Sequence, residues 1–309
     1  MLLILILYRA APLAAENTGF LIIRTESGQT KQIDGTIVEL SSRTGAVIQT
    51  GNKEERIPVD RLVNFGTVLT DAHINGDQSM KAKNYPEAVR QFQTARAEET
   101  RMWVKRQITA RIIQSLTAQG EFEQACREFY LLAESDPETL YIACIPLPWF
   151  TVPEREQTAF VLGRQGIRQQ DNPAMQLLAA GLLLMSPDRA EAVETLQKLA
   201  KSSNRPIAAL ATAQLWRLKL FDASKSDALT WEEQTELMDT PLQAGPHYLL
   251  GEVFARRQDP ENAVSHWMKV ILLHPEQREL VQQAAEHAAE TLRTLGRPEQ
   301  AEKLGRFAR

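Results

Sequence analysis

Hydrophobic positions in this chain keep two different periods, and the change between them divides it. From Gly19 to Phe65 apolar and polar residues alternate with regular punctuation: FLIIR, a turn at Glu26-Ser27-Gly28, QIDGTIVEL, a turn over Ser41 to Gly45, AVIQT, a turn at Gly51-Asn52, then RIPVDRLVNF. Period two bounded by turn residues predicts four or five short strands, with β-branched Ile33, Ile37, Val47, Ile57 and Val63 suited to a pleated, half-buried surface. So short a sheet cannot cover both its faces, and a small SH3-like or Sm-like β barrel is the expected closure. Gly35 marks a sharp bend inside the second strand, and Pro58 an edge or strand start.

After Gly66 the period becomes helical and stays so. Aligned on Ala88, Ala125, Ala192, Ala263 and Ala301, the chain places Phe92, Phe129, Leu196, Trp267 and Gly305 four residues on. Ala95, Leu132, Leu199, Val270 and Ala308 follow three further on, and Gly76, Ile113, Ala180, Gly251 and Ala289 stand twelve before. A small residue in the first helix lets two helices approach, and a large one in the second fills the gap between them. The alanines are spaced by 37, 67, 71 and 38 residues, close to one, two, two and one periods. Two degenerate units are therefore expected, around 140–166 and 207–242.

The best-preserved unit is Ala244 to Pro275, with Leu250, Gly251 and Phe254 in a first helix, a break at Asp259-Pro260, then Ala263, Trp267 and Val270 in a second ended by Pro275. This stretch resembles a tetratricopeptide repeat, whose period is about 34 residues. The chain also resembles uncharacterised exported bacterial proteins that join a small β domain to degenerate repeats of this kind, through GTIVEL, RIPVDRLV, the DPET-to-IPLPW stretch and QAGPHYLLG. The resemblance implies a mostly α fold: residues 1–17 as signal peptide or N-terminal anchor, 18–66 as the β barrel, and 67–309 as a right-handed α-solenoid of six or seven helical hairpins. An irregular loop interrupts it at 144–153, where Pro146, Pro148 and Pro153 forbid a regular helix. Trp149 and Phe150 in that loop either anchor a partner or tuck over the seam between two halves of the superhelix, and tucking is the favoured alternative because exposed aromatic residues are costly.

Composition narrows function more than it defines it. There are 35 Lys and Arg against 39 Asp and Glu, a net charge of -4. Nucleic-acid binding rests on clustered cations, so no nucleic acid is expected as partner. Of the aromatic residues only Phe20 and Phe65 fall in the β region, too few for a base-stacking platform, so the barrel is expected to cap or space the helices. Cys126 and Cys144 lack metal-ligand spacing and read as buried thiols, with one disulfide open if the chain is exported. The run Leu2–Leu7 followed by Ala14-Ala15 resembles an export signal, which would place the chain in the periplasm or cell envelope, held to a membrane through its N-terminus if the segment is kept; a disordered cytoplasmic tail is the alternative.

No nucleotide, hydrolase or zinc-protease motif is present, and His73, His247, His266, His274 and His287 are scattered one per helix or turn. The expectation is a non-enzymatic scaffold with no cofactor and no metal, binding a protein or peptide. In tetratricopeptide proteins the first helices line a concave groove. The resemblance puts His73 and Asp77, Ala110 and Gln114, Leu177 and Gly181, Tyr248 and Glu252, and Glu286 and Glu290 there. The basic clamp is missing, and the acidic residues of such a groove would repel a carboxylate tail. Tyr248, Glu252, Glu286 and Glu290, beside Arg256 and Arg293, suit a mixed or basic peptide. The alternatives are an accessory subunit of an envelope enzyme and a cytoplasmic nucleic-acid adaptor using the barrel.

Overall fold

The computed structural model describes residues 18–305 and 307; the export segment lies outside them. Five strands come first: β1 (Gly19–Arg24), β2 (Thr30–Ser41), β3 (Gly45–Thr50), β4 (Lys53–Ile57) and β5 (Leu62–Thr67). They form one antiparallel sheet in the order β4-β3-β2-β1-β5. β2 pairs with β1 up to Gly35 and with β3 from Thr36 onward. The bend expected at Gly35 is this handover, and a side chain there would strike the Gln49 carbonyl of β3.

The expected barrel does not close. No ladder joins β4 to β5 among the described residues, and the sheet keeps two edges. A helix supplies what closure would have supplied: Trp103 packs edge-on to Phe65 at 5.9 Å, and its indole N–H donates to the Ile37 carbonyl at 3.1 Å. The β4 edge is blunted instead by Lys53, Glu54, Glu55 and Arg56, all exposed, because charged edges resist pairing with other chains.

Thirteen helices follow among the described residues. They are α1 (Asp71–Lys81), α2 (Tyr85–Glu98), α3 (Met102–Gln119), α4 (Phe122–Ser135), α5 (Glu156–Gly166), α6 (Pro173–Leu183) and α7 (Arg189–Leu199). Then come α8 (Arg205–Trp216), α9 (Lys225–Glu236), α10 (Ala244–Arg256), α11 (Pro260–Leu273), α12 (Arg278–Thr294) and α13 (Pro298–Leu304). The starts are written locally: Thr70, Asn172, Asn204 and Asp259 cap α1, α6, α8 and α11 with side-chain oxygens, and Ser224 and Asp227 form a capping box on α9. Helices pack mainly on their neighbours in sequence, the arrangement of a solenoid.

The small-against-large rule holds within these pairs. Gly76 of α1 lies under the Phe92 ring of α2, and Gly251 of α10 under the indole of Trp267 in α11. Phe92, Phe129, Leu196 and Trp267 are all buried. Two apolar cores result, one running from the sheet through α8 and the other from the end of α8 to α13; Trp149 packs against both. Cys126 and Cys144 are buried free thiols, each held well above the usual thiol range by desolvation. No helix among the described residues is long and apolar enough to cross a membrane.

Candidate partner-binding face

Between α4 and α5 the first helix of a unit is missing, and residues 145–152 run extended across the inner faces of later helices. The prolines remove donors and disfavour helix in the residues before them, so the segment must find partners elsewhere. It finds them at two positions named above for the groove, Gly181 and Tyr248, and at two that were not, Gly245 and Gln214. Leu147 lies over Gly181 of α6, Trp149 over Gly245 of α10, and Phe150 against the Tyr248 ring at 5.8 Å. Gln214 of α8 donates Nε2–H to the Pro148 carbonyl at 3.3 Å.

Gly245 is the tightest of these seats. A Cβ there would overlap the shared Cδ2–Cε2 bond of the Trp149 indole, so only glycine leaves room for the ring. Trp149 therefore lies over the seam between the two cores and is half-buried, not a projecting anchor.

The segment's far end is pinned by charge. Arg155 makes a bidentate pair with Glu279 at the start of α12, with Nη1 to Oε2 at 2.8 Å, and also donates to the Gly120 carbonyl at 3.1 Å. Arg278 lies over the Tyr85 ring of α2, 6.0 Å from its centroid. The last helices thus meet the first beside the chain's own loop.

The remaining candidate residues divide into two groups. Tyr248 does not face outward: it is 4% exposed, flanked by Phe150 and by His287 at 6.0 Å. Its phenol is held well above the usual tyrosine range by desolvation and then by Glu252. Glu252 is committed within the fold, bonded to His287 Nδ1 and 3.7 Å from Arg256 Nη2. Arg256 stacks its guanidinium 4.2 Å from the centroid of the Phe221 ring. Glu286, Glu290 and Arg293, by contrast, are exposed along one side of α12. They sit beside His287, whose imidazole is raised above its ordinary value by its hydrogen bond to Glu252, with Glu252, Glu286 and Glu290 adding negative charge. The face is a shelf of carboxylates edged by an aromatic seam.

The histidines are not scattered in space. His247 and His266 face each other with Nδ1 atoms 3.1 Å apart, and Glu232 lies 3.3 Å from the far nitrogen of His266. One ring must donate and the other accept, so protonating both would oppose two N–H groups. Burial, and for His247 the neighbouring His266, lowers both values. With 1% and 2% exposure the pair is sealed between α10 and α11, where it orders packing. His73 and His274 are likewise buried, each lowered to about 4 by desolvation.

No family model matches the chain, and no curated protein matches it. Among solved structures it is similar to the "TPR2AB-domain:pHSP90-complex of yeast Sti1", at 10% identity over 77% of this chain and 95% of that one, with a TM-score of 0.20. At that superposition the likeness carries no weight for function.

Sequence reasoning missed Gly245, Gln214, Arg155, Glu279 and His287. Arg155 and Glu279 stand 124 residues apart, and nothing local in the sequence joins them. Gly245 did carry a signal, a glycine in the first turn of the best-preserved repeat, where a stronger helix former would be expected.

Proposed function

We propose that this chain is a non-enzymatic protein-interaction scaffold, exported to the cell envelope, that holds a basic or mixed-charge peptide on the α12 shelf. What carries the reading is the chain's own loop. An extended, proline-containing segment already lies on the inner faces of α6, α8 and α10, held by a backbone carbonyl and an aromatic seat. That is how an extended peptide is gripped without regular structure of its own.

The loop occupies the middle of that surface and leaves Glu286, which accepts from Gln282, and Glu290 exposed at its C-terminal end. Carboxylates on a rim set the on-rate and partner choice more than raw affinity, so the partner should carry Lys or Arg and bind less well in salt. Tyr248 and Phe150 form the floor of the site and do not grip the partner, while Glu252 acts through His287. Envelope location rests on the export-like segment alone.

Fluorescence anisotropy tests the reading with the full chain and labelled extended peptides matched except for charge. Peptides with two or three basic residues should bind, acidic ones should not, and Glu286→Lys with Glu290→Lys should reverse the order. Equal binding of acidic and basic peptides would sink it. Fractionation of cells tests location separately, and recovery in the cytosol with Met1 intact would refute export.

A further inference from the structure

Arg217, just past the end of α8, is a buried cation without a counter-ion. It is 6% exposed. Its side-chain hydrogen bonds run from Nη1 alone, to the Gly181 carbonyl at 3.0 Å and to Gln214 Oε1 at 2.7 Å. No carboxylate among the described residues lies within ion-pair reach, and desolvation by itself pulls its pKa down to about 10. A charge taken out of water without compensation costs several kcal/mol in effect, and two carbonyl-type oxygens supply only part of what is lost.

The same residue forms part of the wall of a cavity of about 120 Å³ beneath the Pro-Trp segment, whose other lining includes Ile145, Leu147, Leu182, Leu210 and Leu242. Two acids stand on that wall: Glu279 is spent on Arg155, and Glu156, at the start of α5, makes no ion pair with Arg217. With Nη1 turned to α6 and Gln214, the edge of the guanidinium left over is Nε–Nη2. Two parallel N–H groups on that edge match the two oxygens of a carboxylate. The volume bounds the rest: an apolar cavity of ~150 Å³ accepts benzene, so this one takes a group of roughly that size or a little smaller.

We propose that this cavity is a binding site for a small monocarboxylate, its apolar tail among the leucines and its carboxylate bidentate on the free edge of Arg217. Such a ligand supplies the missing negative charge. Leu147, Pro148 and Trp149 of the loop also line the cavity, so occupancy tightens the loop over it. This site is separate from the shelf on α12, and either can fail without the other.

Calorimetry and thermal shift on the full chain at constant ionic strength test it, with benzoate and hexanoate as probes and benzamide and hexanamide as neutral counterparts. The carboxylates should bind saturably and at least about 10-fold more tightly than the amides, a difference of about 1.4 kcal/mol. Arg217→Met should abolish that preference. Arg217→Lys, which keeps charge but loses the two-pronged edge, should reduce it. If either variant fails to fold, the comparison of acid with amide on the unaltered protein still decides. Equal binding of acid and amide, or no saturable binding of any probe, would overturn the proposal.

Discussion

Replacing Gly245 by alanine isolates the contact that joins the two halves of the solenoid. Contact at the usual carbon–carbon separation would require the Trp149 indole to retreat by ~1.6–2 Å from the new Cβ. The ring cannot sink inward, because both cores lie there, so it lifts off the seam. Overpacking of this kind costs ~1–3 kcal/mol, and loss of a buried tryptophan ~3–5 kcal/mol, the second being a ceiling because Trp149 is only half-buried. Against this, alanine is favoured over glycine in a helix by up to ~1 kcal/mol, and less in a first turn. The net expectation is a destabilisation of about 1–3 kcal/mol. The two terms separate on a Trp149→Ala background, where the clash is gone and Gly245→Ala should be neutral or slightly stabilising. Urea unfolding of the four proteins gives the coupling directly, and it should exceed about 1.5 kcal/mol, beyond the ~0.5 kcal/mol scatter of independent sites. Gly245→Ala that is harmless in the unaltered chain, or equally harmful on both backgrounds, would refute the seat.

Three further outcomes follow from the same geometry. Arg155→Ala should cost about 1 kcal/mol, as expected for a partly exposed bidentate pair, and should speed amide exchange across 144–153, while the charge swap Arg155→Glu with Glu279→Arg recovers part of both; unchanged exchange would show that the clasp does not hold the loop. His73, His247, His266 and His274 are lowered in the fold, with unfolded values near 6.5. They bind protons on unfolding, so stability present above pH 6.5 is lost as pH falls toward 4, by up to about 1.4 kcal/mol per unit for each; a flat urea midpoint between pH 7 and 5 would contradict this. His287 is raised and behaves oppositely: its contribution is full below pH 6.5 and is lost as pH rises through its folded value, so the stability gap between the native chain and His287→Gln should narrow from pH 6 to pH 8.5. A gap independent of pH would remove the His287–Glu252 bond from the account.

Local pattern carried the elements, and long-range packing decided what it could not. The period-two stretch gave the strands because each inward side chain is fixed by the pleat. It could not show that the sheet stays open, since that depends on Trp103 arriving from a helix 66 residues beyond Ile37 to cover the face. Gly76 with Phe92 and Gly251 with Trp267 were legible, because a small-to-large pairing repeats at fixed spacing. The candidate face was harder. Tyr248 occupies a groove position by register, yet Phe150 from a distant irregular loop covers it, and no periodicity places that loop. Glu286 and Glu290 kept their exposure because nothing among the described residues covers that side of α12. The histidines read as isolated in one dimension, although His247 and His266 stand on the facing helices of one hairpin.

In the proposed function the acidic shelf of α12 selects the partner. The direct measurement is the affinity of charge-matched extended peptides for the full chain and for the Glu286→Lys, Glu290→Lys variant, at low and at physiological salt. Basic peptides should bind the native chain, weaken as salt rises, and lose to acidic peptides on the variant. Affinity indifferent to peptide charge, to salt and to both substitutions would contradict it.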